Sequence, residues 1–155
     1  MATLDPQAGT LPMPELHRLS LESISLLANV AADVFDAAID SARLSTYLAA
    51  PGHLMVVAIV DRQVVGQVAA HVHHHLDQAP DLYVDNLGVA PAFRRRGIAR
   101  RLVDQVLEWG ESLGCRQAWI VTEPDNAAAR AVYSARGAIA APVVMFSYDL
   151  GDQAT

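Results

Sequence analysis

Three consecutive arginines begin the segment of this sequence that is best suited to bind an anion. The segment Arg94-Arg95-Arg96-Gly97-Ile98-Ala99 follows the apolar run Leu82 to Val89 and precedes a helical pattern. Gly97 and Ala99 leave the first helical turn free of bulk, so its backbone N–H groups can face a phosphate. The start of a helix carries partial positive charge, and arginine adds formal charge and fork-shaped donors. Because cations at a helix N-terminus oppose its dipole, three of them there predict a bound anion.

Composition limits the class of protein to which this chain can belong. Its 155 residues, 52% of them hydrophobic and 18% charged, suit one globular domain with a real core. The formal net charge of −6 argues against a nucleic-acid binder and is compatible with a cationic partner. Five of the eleven basic residues nevertheless lie within Arg94 to Arg101, which predicts one localised anion site. No apolar stretch is long enough for a membrane span, so no membrane partner is predicted.

The termini and the single cysteine indicate the compartment. Residues 1–12 lack both a basic and an apolar region of the secretory type, which predicts a flexible leader. Cys115 alone cannot form an internal disulfide framework and favours a reducing cytoplasm. We therefore predict a leader over 1–12, a single domain over 13–151 and a tail over 152–155.

The elements that must position the arginine turn alternate between helical and strand patterns. Apolar spacing of period 3.6 predicts four helices, at Ser20 to Phe35, Ser41 to Ala50, Gly97 to Leu113 and Ala127 to Arg136. Alternating or β-branched runs predict strands at Glu15 to Ser20, Leu54 to Val60, Val64 to His73, Leu82 to Val89, Gln117 to Val121 and Val143 to Leu150. This order indicates an α/β (α+β) domain with a mixed, mostly antiparallel central sheet flanked by about four helices.

The strand Leu82 to Val89 carries two features that bear on chemistry. Gly88 interrupts a β-branched run, which suggests either a bulge or a close backbone approach. Strand alternation predicts that Asp85 shares a face with Tyr83 and Leu87, while Asn86 points the other way.

A histidine cluster lies at the end of the predicted hairpin, at His71, His73, His74 and His75. Alternate histidines on a strand share a face, but a third ligand four residues on is too distant to complete one zinc site. We predict no metal. The histidines either border an acceptor cleft, where their charge would depend on pH, or lie in an inert exposed loop.

Taken together, the strand end, the arginine turn and a C-terminal helix resemble the GNAT superfamily of acetyl-CoA-dependent N-acetyltransferases. The residues that carry this resemblance are Leu87-Gly88-Val89, Arg94-x-x-Gly97-x-Ala99, and Asn126 with Tyr133 and Gly137. It covers Phe35 to Leu150 and implies the GNAT fold with acetyl-CoA as donor. Shorter stretches look like the aminoglycoside 3-N-acetyltransferase branch, among them Val64-Val65-Gly66 and Val144-Met145-Phe146.

The resemblance implies a role for each of these segments. The CoA site would comprise Leu87, Gly88, Val89, Arg94, Arg95, Arg96, Gly97, Ile98, Ala99, Arg100, Asn126, Ala129 and Tyr133. A bulge at Gly88 would separate two strands, and the Val89 N–H would then stabilise the oxyanion. Tyr133 would be the general acid for the thiolate, and Asn126 would bind the pantetheine arm directly or through water.

A base must also take a proton from the acceptor amine. Asp85 and Glu123 are the candidates, and either could instead bind a cationic amine. The residue before Leu-Gly-Val is often acidic in the aminoglycoside branch, whereas here it is Asn86.

The predicted function is direct acetyl transfer from acetyl-CoA to a primary amine. Cys115 lies outside every motif, which argues against an acetyl-enzyme. The expected acceptor is a small cationic amine, with 3-N-acetylation of an aminoglycoside antibiotic as the leading hypothesis. The alternatives are another amine (a protein N-terminus, a lysine or a small metabolite) and a non-catalytic acyl-CoA-binding sensor. A homodimer is left open.

Overall fold

The computed structural model describes residues 12–151, so the predicted tail and all but the last residue of the predicted leader lie outside it. Five strands form one sheet in the order β1-β2-β3-β4-β5, with bounds Glu15–Arg18, His53–Val60, Gln63–His73, Asp81–Val89 and Gln117–Trp119. The helices are α1 (Ser41–Ala49), α2 (Ile98–Ser112) and α3 (Ala127–Ala135), with 3-10 helices at Leu21–Ala28 and Pro91–Phe93. Neighbouring strands are antiparallel except for β4 and β5, which confirms the mixed, mostly antiparallel sheet.

Strands β2 and β3 are buried on both faces over most of their length. On one face, Ile98, Leu102 and Val106 of α2 pack on a cluster that includes Leu82 and Val84 of β4. Those α2 positions follow the 3.6-residue period, so the predicted helical stripe is confirmed. The 3-10 helix Leu21–Ala28 and α1 cover part of the opposite face. None of the helices between residues 12 and 151 is long and apolar enough to cross a membrane.

Two bulges set which side chains reach which face. The hairpin between β2 and β3 turns at Asp61 and Arg62, whose φ values of +47° and +64° are those of a type I′ turn. The register then shifts between Ala58 and Ile59, which leaves Val65 as an extra residue on β3. A second shift, between β3 and β4, leaves Asp85 as an extra residue on β4. Each bulge reverses the facing of the residues beyond it.

The predicted helix from Ser20 to Phe35 is wrong beyond its first turns. Only Leu21–Ala28 is helical, and it is a 3-10 helix. The chain then bonds to the start of β3: Val64 N–H donates to the carbonyl of Asn29 at 2.9 Å, and Ala31 N–H donates to the carbonyl of Val64 at 2.8 Å. Because these backbone groups are used by the sheet, they cannot continue a helix.

The C-terminal strand prediction is also wrong. Residues 143–150 form no strand in the described structure, and β5 ends at Trp119 rather than Val121. A run with strand alternation needs a partner edge, and the three residues of β5 offer a short one. Val144 and Phe146 are consequently 80% and 84% exposed. The homodimer, which could cover such a surface, stays a prediction.

Candidate active site

The arginine turn ends in a helix start whose backbone donors face open space. Arg95 and Gly97 both have left-handed backbone conformations, with φ of +63° and +74°. Gly97 is the N-cap of α2 and supplies no capping side chain, so the first N–H groups of the helix are left for another acceptor. A Cβ at Gly97 would meet nothing within 4 Å. The geometry is that of an accessible anion site at a helix N-terminus.

The three arginine side chains of this turn make different contacts. Arg94 Nε donates to the Val89 carbonyl at 3.1 Å and so ties the turn to the end of β4. Arg96 lies with its guanidinium carbon 4.9 Å from the centre of the Phe93 ring. Arg95 is exposed, and no other residue in the described part of the chain accepts a hydrogen bond from its side chain. Arg95 therefore has the freest guanidinium for an anion.

The outer edge of β4 is open beside this turn. β4 pairs with β5 only from Asp81 to Tyr83, so within residues 12–151 no strand pairs with its outer edge from Val84 to Val89. Ala90 N–H donates inwards, to the Val65 carbonyl at 2.8 Å. Because N–H directions alternate along a strand, the Val89 N–H points to the open edge. An extended ligand arm could pair with this backbone as an added strand.

A glycine is required at position 88 because the backbone of Val34 approaches it closely, and not because the strand bulges there. It pairs regularly with Gln67 of β3, and the bulge lies at Asp85. A Cβ at Gly88 would lie 2.1 Å from the Val34 carbonyl oxygen, far inside any allowed contact. Of the two predicted explanations for this glycine, the structure therefore selects the close backbone approach.

The bulge at Asp85 corrects the predicted facing of its neighbours. Asn86 points to the same face as Asp85, and Leu87 packs instead with the cluster beneath α2. Asn86 Oδ1 accepts from Gln67 Nε2 at 2.5 Å, and Asn86 Nδ2 donates to Asp36 Oδ2 at 3.4 Å. A carboxylate accepts at one end of this chain of bonds, which fixes the orientation of both amides.

The predicted general acid lies on α3. Tyr133 is half-buried, and this burial raises the pKa of its hydroxyl above the usual value, so it stays protonated at neutral pH. Asn126 is the N-cap of α3, and its side-chain oxygen accepts from the Ala129 N–H at 3.1 Å. Arg136 Nε lies 2.5 Å from Asp104 Oδ1 of α2, which ties the two helices together.

The two candidate bases lie in different settings. Asp85 projects from the bulge beside the open edge of β4. Glu123 is exposed in the loop before α3, where its backbone carbonyl accepts from the Asn126 N–H at 3.1 Å. Asp85 lies on the face of the sheet that α1 partly covers, near Tyr47 of α1. Glu123 lies in the loop before α3 instead.

A row of rings on that same face was not predicted from the sequence. His53, His71, Tyr83 and Trp119 are register partners on β2, β3, β4 and β5. Successive ring centres are 5.2, 5.2 and 4.3 Å apart, and Tyr47 of α1 adds an edge contact to His53 at 4.8 Å. Cross-strand neighbours at these distances stabilise one another and form a continuous aromatic surface. We call these five side chains the ring row.

The other histidines lie apart from the ring row. The His73 and His75 rings are 4.7 Å apart, and His75 Nε2 is 3.0 Å from Asp81 Oδ2. His74 is exposed. Of the predicted cluster, only His71 therefore belongs to the ring row; His73 shares its face of β3 but contacts His75 instead. Within the described residues, no group of three or more His, Cys, Asp or Glu side chains is arranged to hold a metal ion.

Cys115 lies at the far end of β4 from the arginine turn, at the start of β5. Its partial burial, and then the nearby Asp81 carboxylate, raise the pKa of its thiol. A raised pKa disfavours the nucleophilic thiolate.

The sequence matches the Acetyltransferase (GNAT) family over residues 21–138. The chain belongs to this family. The open strand edge, the arginine turn and Tyr133 all lie within the matched segment. GNAT membership confirms the resemblance stated from the motifs.

Comparison with curated proteins adds a narrower similarity. The chain is 32% identical over 85 residues to the aminoglycoside N(6')-acetyltransferase type 1 of Salmonella typhimurium and equally to that of Salmonella enteritidis. The alignment covers 52% of this chain and 59% of each relative, so the chain spans about three-fifths of their length. These relatives are of the 6' type, which corrects the predicted 3-N branch.

Solved structures show the same fold. An aminoglycoside acetyltransferase from an uncultured soil metagenomic sample, in complex with trehalose, superposes with a TM-score of 0.76 at 20% identity, covering 89% of this chain and 97% of that one. The aminoglycoside acetyltransferase AAC(6')-Iy, bound to the bisubstrate analogue CoA-S-monomethyl-acetylneamine, superposes with a TM-score of 0.75 at 23% identity, covering 89% and 99%. The predicted GNAT fold is confirmed.

Proposed function

We propose that this GNAT protein transfers the acetyl group of acetyl-CoA directly to a primary amine of a cationic small molecule. The observation that carries the proposal is the uncapped start of α2 at Gly97, placed next to the open outer edge of β4. A helix start suits a pyrophosphate, and an open strand edge suits an amide-bearing arm. CoA contains both groups in that order.

On this proposal, the chain holds the donor by its backbone. The N–H groups from Arg95 to Ala99 receive the pyrophosphate, and the edge of β4 pairs with the pantetheine. The Val89 N–H, directed to that edge, then stabilises the oxyanion of the tetrahedral intermediate. Tyr133 donates its proton to the departing thiolate, and Asn126, already fixed as a helix cap, keeps its amide N–H groups for the pantetheine.

The acceptor side favours a cation. Asp85 and Asp36 lie on the face of the sheet that α1 partly covers. The whole chain carries a net charge of −6. An acidic surface attracts and steers a polyamine. The relatives named above support an aminoglycoside as this amine, acetylated at its 6' amino group.

The proposal is tested by measuring thiol release from acetyl-CoA with aminoglycosides, simple polyamines and peptides as acceptors. We expect turnover with aminoglycosides, and NMR of the product should place the acetyl group on the 6' nitrogen. Turnover confined to peptides would contradict the aminoglycoside assignment and leave acetyl transfer intact. A rise in melting temperature with CoA, without turnover on any amine, would instead indicate an acyl-CoA sensor.

Arg95→Asn is expected to raise the KM for acetyl-CoA about tenfold and to change kcat little. A tenfold change corresponds to the loss of one charge-assisted contact of about 1.5 kcal/mol. Asparagine tolerates the left-handed conformation of this position, so the turn keeps its shape. Arg62→Asn is the matched control, because Arg62 has the same conformation in the distant β2–β3 turn. Initial rates at varied acetyl-CoA measure both; equal KM values in the two variants would contradict a role for Arg95 in donor binding.

A further inference from the structure

A chain of side-chain hydrogen bonds leads from a buried glutamine to an exposed carboxylate. Gln67 of β3 is 1% exposed, and its Nε2 donates to the Asn86 Oδ1 at 2.5 Å and to the Val34 carbonyl at 3.3 Å. Asn86 Nδ2 then donates to Asp36 Oδ2 at 3.4 Å. We call Gln67, Asn86 and Asp36 the amide chain.

Stability accounts for only part of the amide chain. Gln67 satisfies the Val34 carbonyl, but its own Oε1 is buried and accepts from no group in the described part of the chain. A buried amide with an unsatisfied oxygen destabilises a fold relative to an apolar side chain of similar size. The bond from Asn86 to Asp36 lies at the surface, where one hydrogen bond contributes little. What the amide chain does achieve is a defined orientation for the Asp36 carboxylate.

The amide chain places Asp36 near the proposed reaction centre. Residues 34–36 cross β4 in the antiparallel sense, because Val34 approaches Gly88 and Asp36 bonds to Asn86. The register from Asn86 to Gly88 is regular, so these two residues share a face of β4 and lie about 7 Å apart. The carboxylate therefore lies about two residues along β4 from the peptide that carries the Val89 N–H.

Asp36 is held on an anchored segment, yet its charge is not neutralised by the protein. Val34 is 2% exposed and packs in the same cluster as Ala90, which fixes the backbone two residues before Asp36. Asp36 itself is exposed, and within residues 12–151 it forms no ion pair with an arginine or a histidine. An oriented, accessible carboxylate of this kind suits an ammonium group, which forms strong charge-assisted hydrogen bonds with it.

We propose that Asp36 binds the acceptor ammonium next to the thioester, and that Gln67 and Asn86 are positioning residues that orient its carboxylate. This inference rests on the proposed acetyltransferase function. The ammonium donates to Asp36 Oδ1, the oxygen that Asn86 does not use. Its nitrogen is then held beside a thioester carbonyl bound at the Val89 N–H. Asp36 thereby favours acceptors whose reacting amine is cationic.

The experiment is steady-state kinetics of Asp36→Asn with kanamycin A, an aminoglycoside that has a 6' amino group. Asparagine keeps a side-chain oxygen for the Asn86 N–H and removes only the charge. The KM for kanamycin A should rise about 10- to 100-fold, the loss of one charged hydrogen bond, and kcat should change less. The KM for acetyl-CoA and the melting temperature should stay at their wild-type values.

Asp33→Asn is the matched control. It makes the same change in net charge three residues earlier, at an exposed position whose φ of +61° asparagine tolerates. Both KM values should remain close to wild type in this variant. Equal KM values for kanamycin A in Asp36→Asn and Asp33→Asn would overturn the role of Asp36 while leaving acetyl transfer established.

Double mutants test whether the two amides act through Asp36. Asn86→Ala and Gln67→Met should each raise the KM for kanamycin A about 2- to 10-fold in the wild-type background. In the Asp36→Asn background they should have little further effect, because the charge that they orient is gone. Effects of the same size in both backgrounds would overturn the positioning role.

Two other outcomes have different meanings. An equal rise in the KM for acetyl-CoA and for kanamycin A in Asp36→Asn, with a lower melting temperature, would show a structural role and overturn acceptor binding by Asp36. Absence of turnover by the wild-type protein with every amine would instead overturn the proposed function, and the role of Asp36 with it.

Discussion

Tyr133→Phe is expected to lower kcat by about 10²- to 10³-fold, the range typical of a lost general acid, while the KM for acetyl-CoA changes little. The half-buried ring remains, so the packing of its aromatic part and the fold are preserved. What disappears is a hydroxyl whose burial raises its pKa and so keeps its proton available. Expulsion of a thiolate without that proton should become the slow step.

The measurement is steady-state kinetics at saturating acetyl-CoA, with thermal melting as a check on folding. Tyr148→Phe is the matched control, since Tyr148 is 88% exposed in the C-terminal segment. An acetyl thioester donor whose thiolate is a better leaving group should reduce the difference in kcat between Tyr133→Phe and the wild-type protein, because a better leaving group needs less protonation. Equal kcat values for Tyr133→Phe and Tyr148→Phe would show that the Tyr133 hydroxyl takes no part in the reaction.

Gly88→Ala should have the largest effect on stability, lowering the free energy of unfolding by about 3 kcal/mol or more, at the upper end of the range for overpacking. The new methyl would lie 2.1 Å from the Val34 carbonyl oxygen, and backbone cannot rotate away as a flexible side chain can. Val34 would have to move. Its carbonyl also accepts from Gln67 Nε2 at 3.3 Å, so the bonds that orient Asn86 would be lost with it.

Urea unfolding of the variant and of Gly114→Ala would test this. Gly114 has φ of +85° and open space around it, so its substitution carries only the left-handed strain of about 1–2 kcal/mol. If Gly88→Ala unfolds no more easily than Gly114→Ala, the approach of Val34 to β4 is not the constraint on residue 88. We expect the catalytic rate of Gly88→Ala to fall as well, because the displaced strand carries Val89.

Local patterns were sufficient for most of the elements. The apolar period of α2, the two-residue turn after β2 and the glycine after α3 are each encoded within a few neighbouring residues. Those elements formed where the sequence predicts them. The 3-10 helix at Leu21–Ala28 differs because its continuation is decided by bonds to Val64, more than thirty residues away. The strand predicted at 143–150 failed for a related reason, since alternation describes a strand but supplies no partner edge.

The ring row shows why part of the site could not be read from the sequence. Extending the register from the β2–β3 turn, where Val60 pairs with Gln63, would place Ala70 opposite His53. The extra residue Val65 shifts the pairing by one, and His71 takes that place instead. A one-residue slip exchanges the faces of every side chain beyond it. No local pattern marks the positions of the two bulges, so the sequence could not predict which residues lie opposite His71.

The sequence alone determined the family and the segment proposed for donor binding, because an anion turn and its strand depend on contiguous residues and backbone geometry. Arg94 to Ala99 and the helix that follows them are one such segment. The tertiary structure decided the arrangement around β4: that Gly88 makes room for Val34, that Asp85 is the bulged residue, and that Asn86 turns to the same face. These outcomes depend on the register between strands and on the approach of distant backbone. Both are fixed by packing over the whole sheet and not by any short stretch of residues.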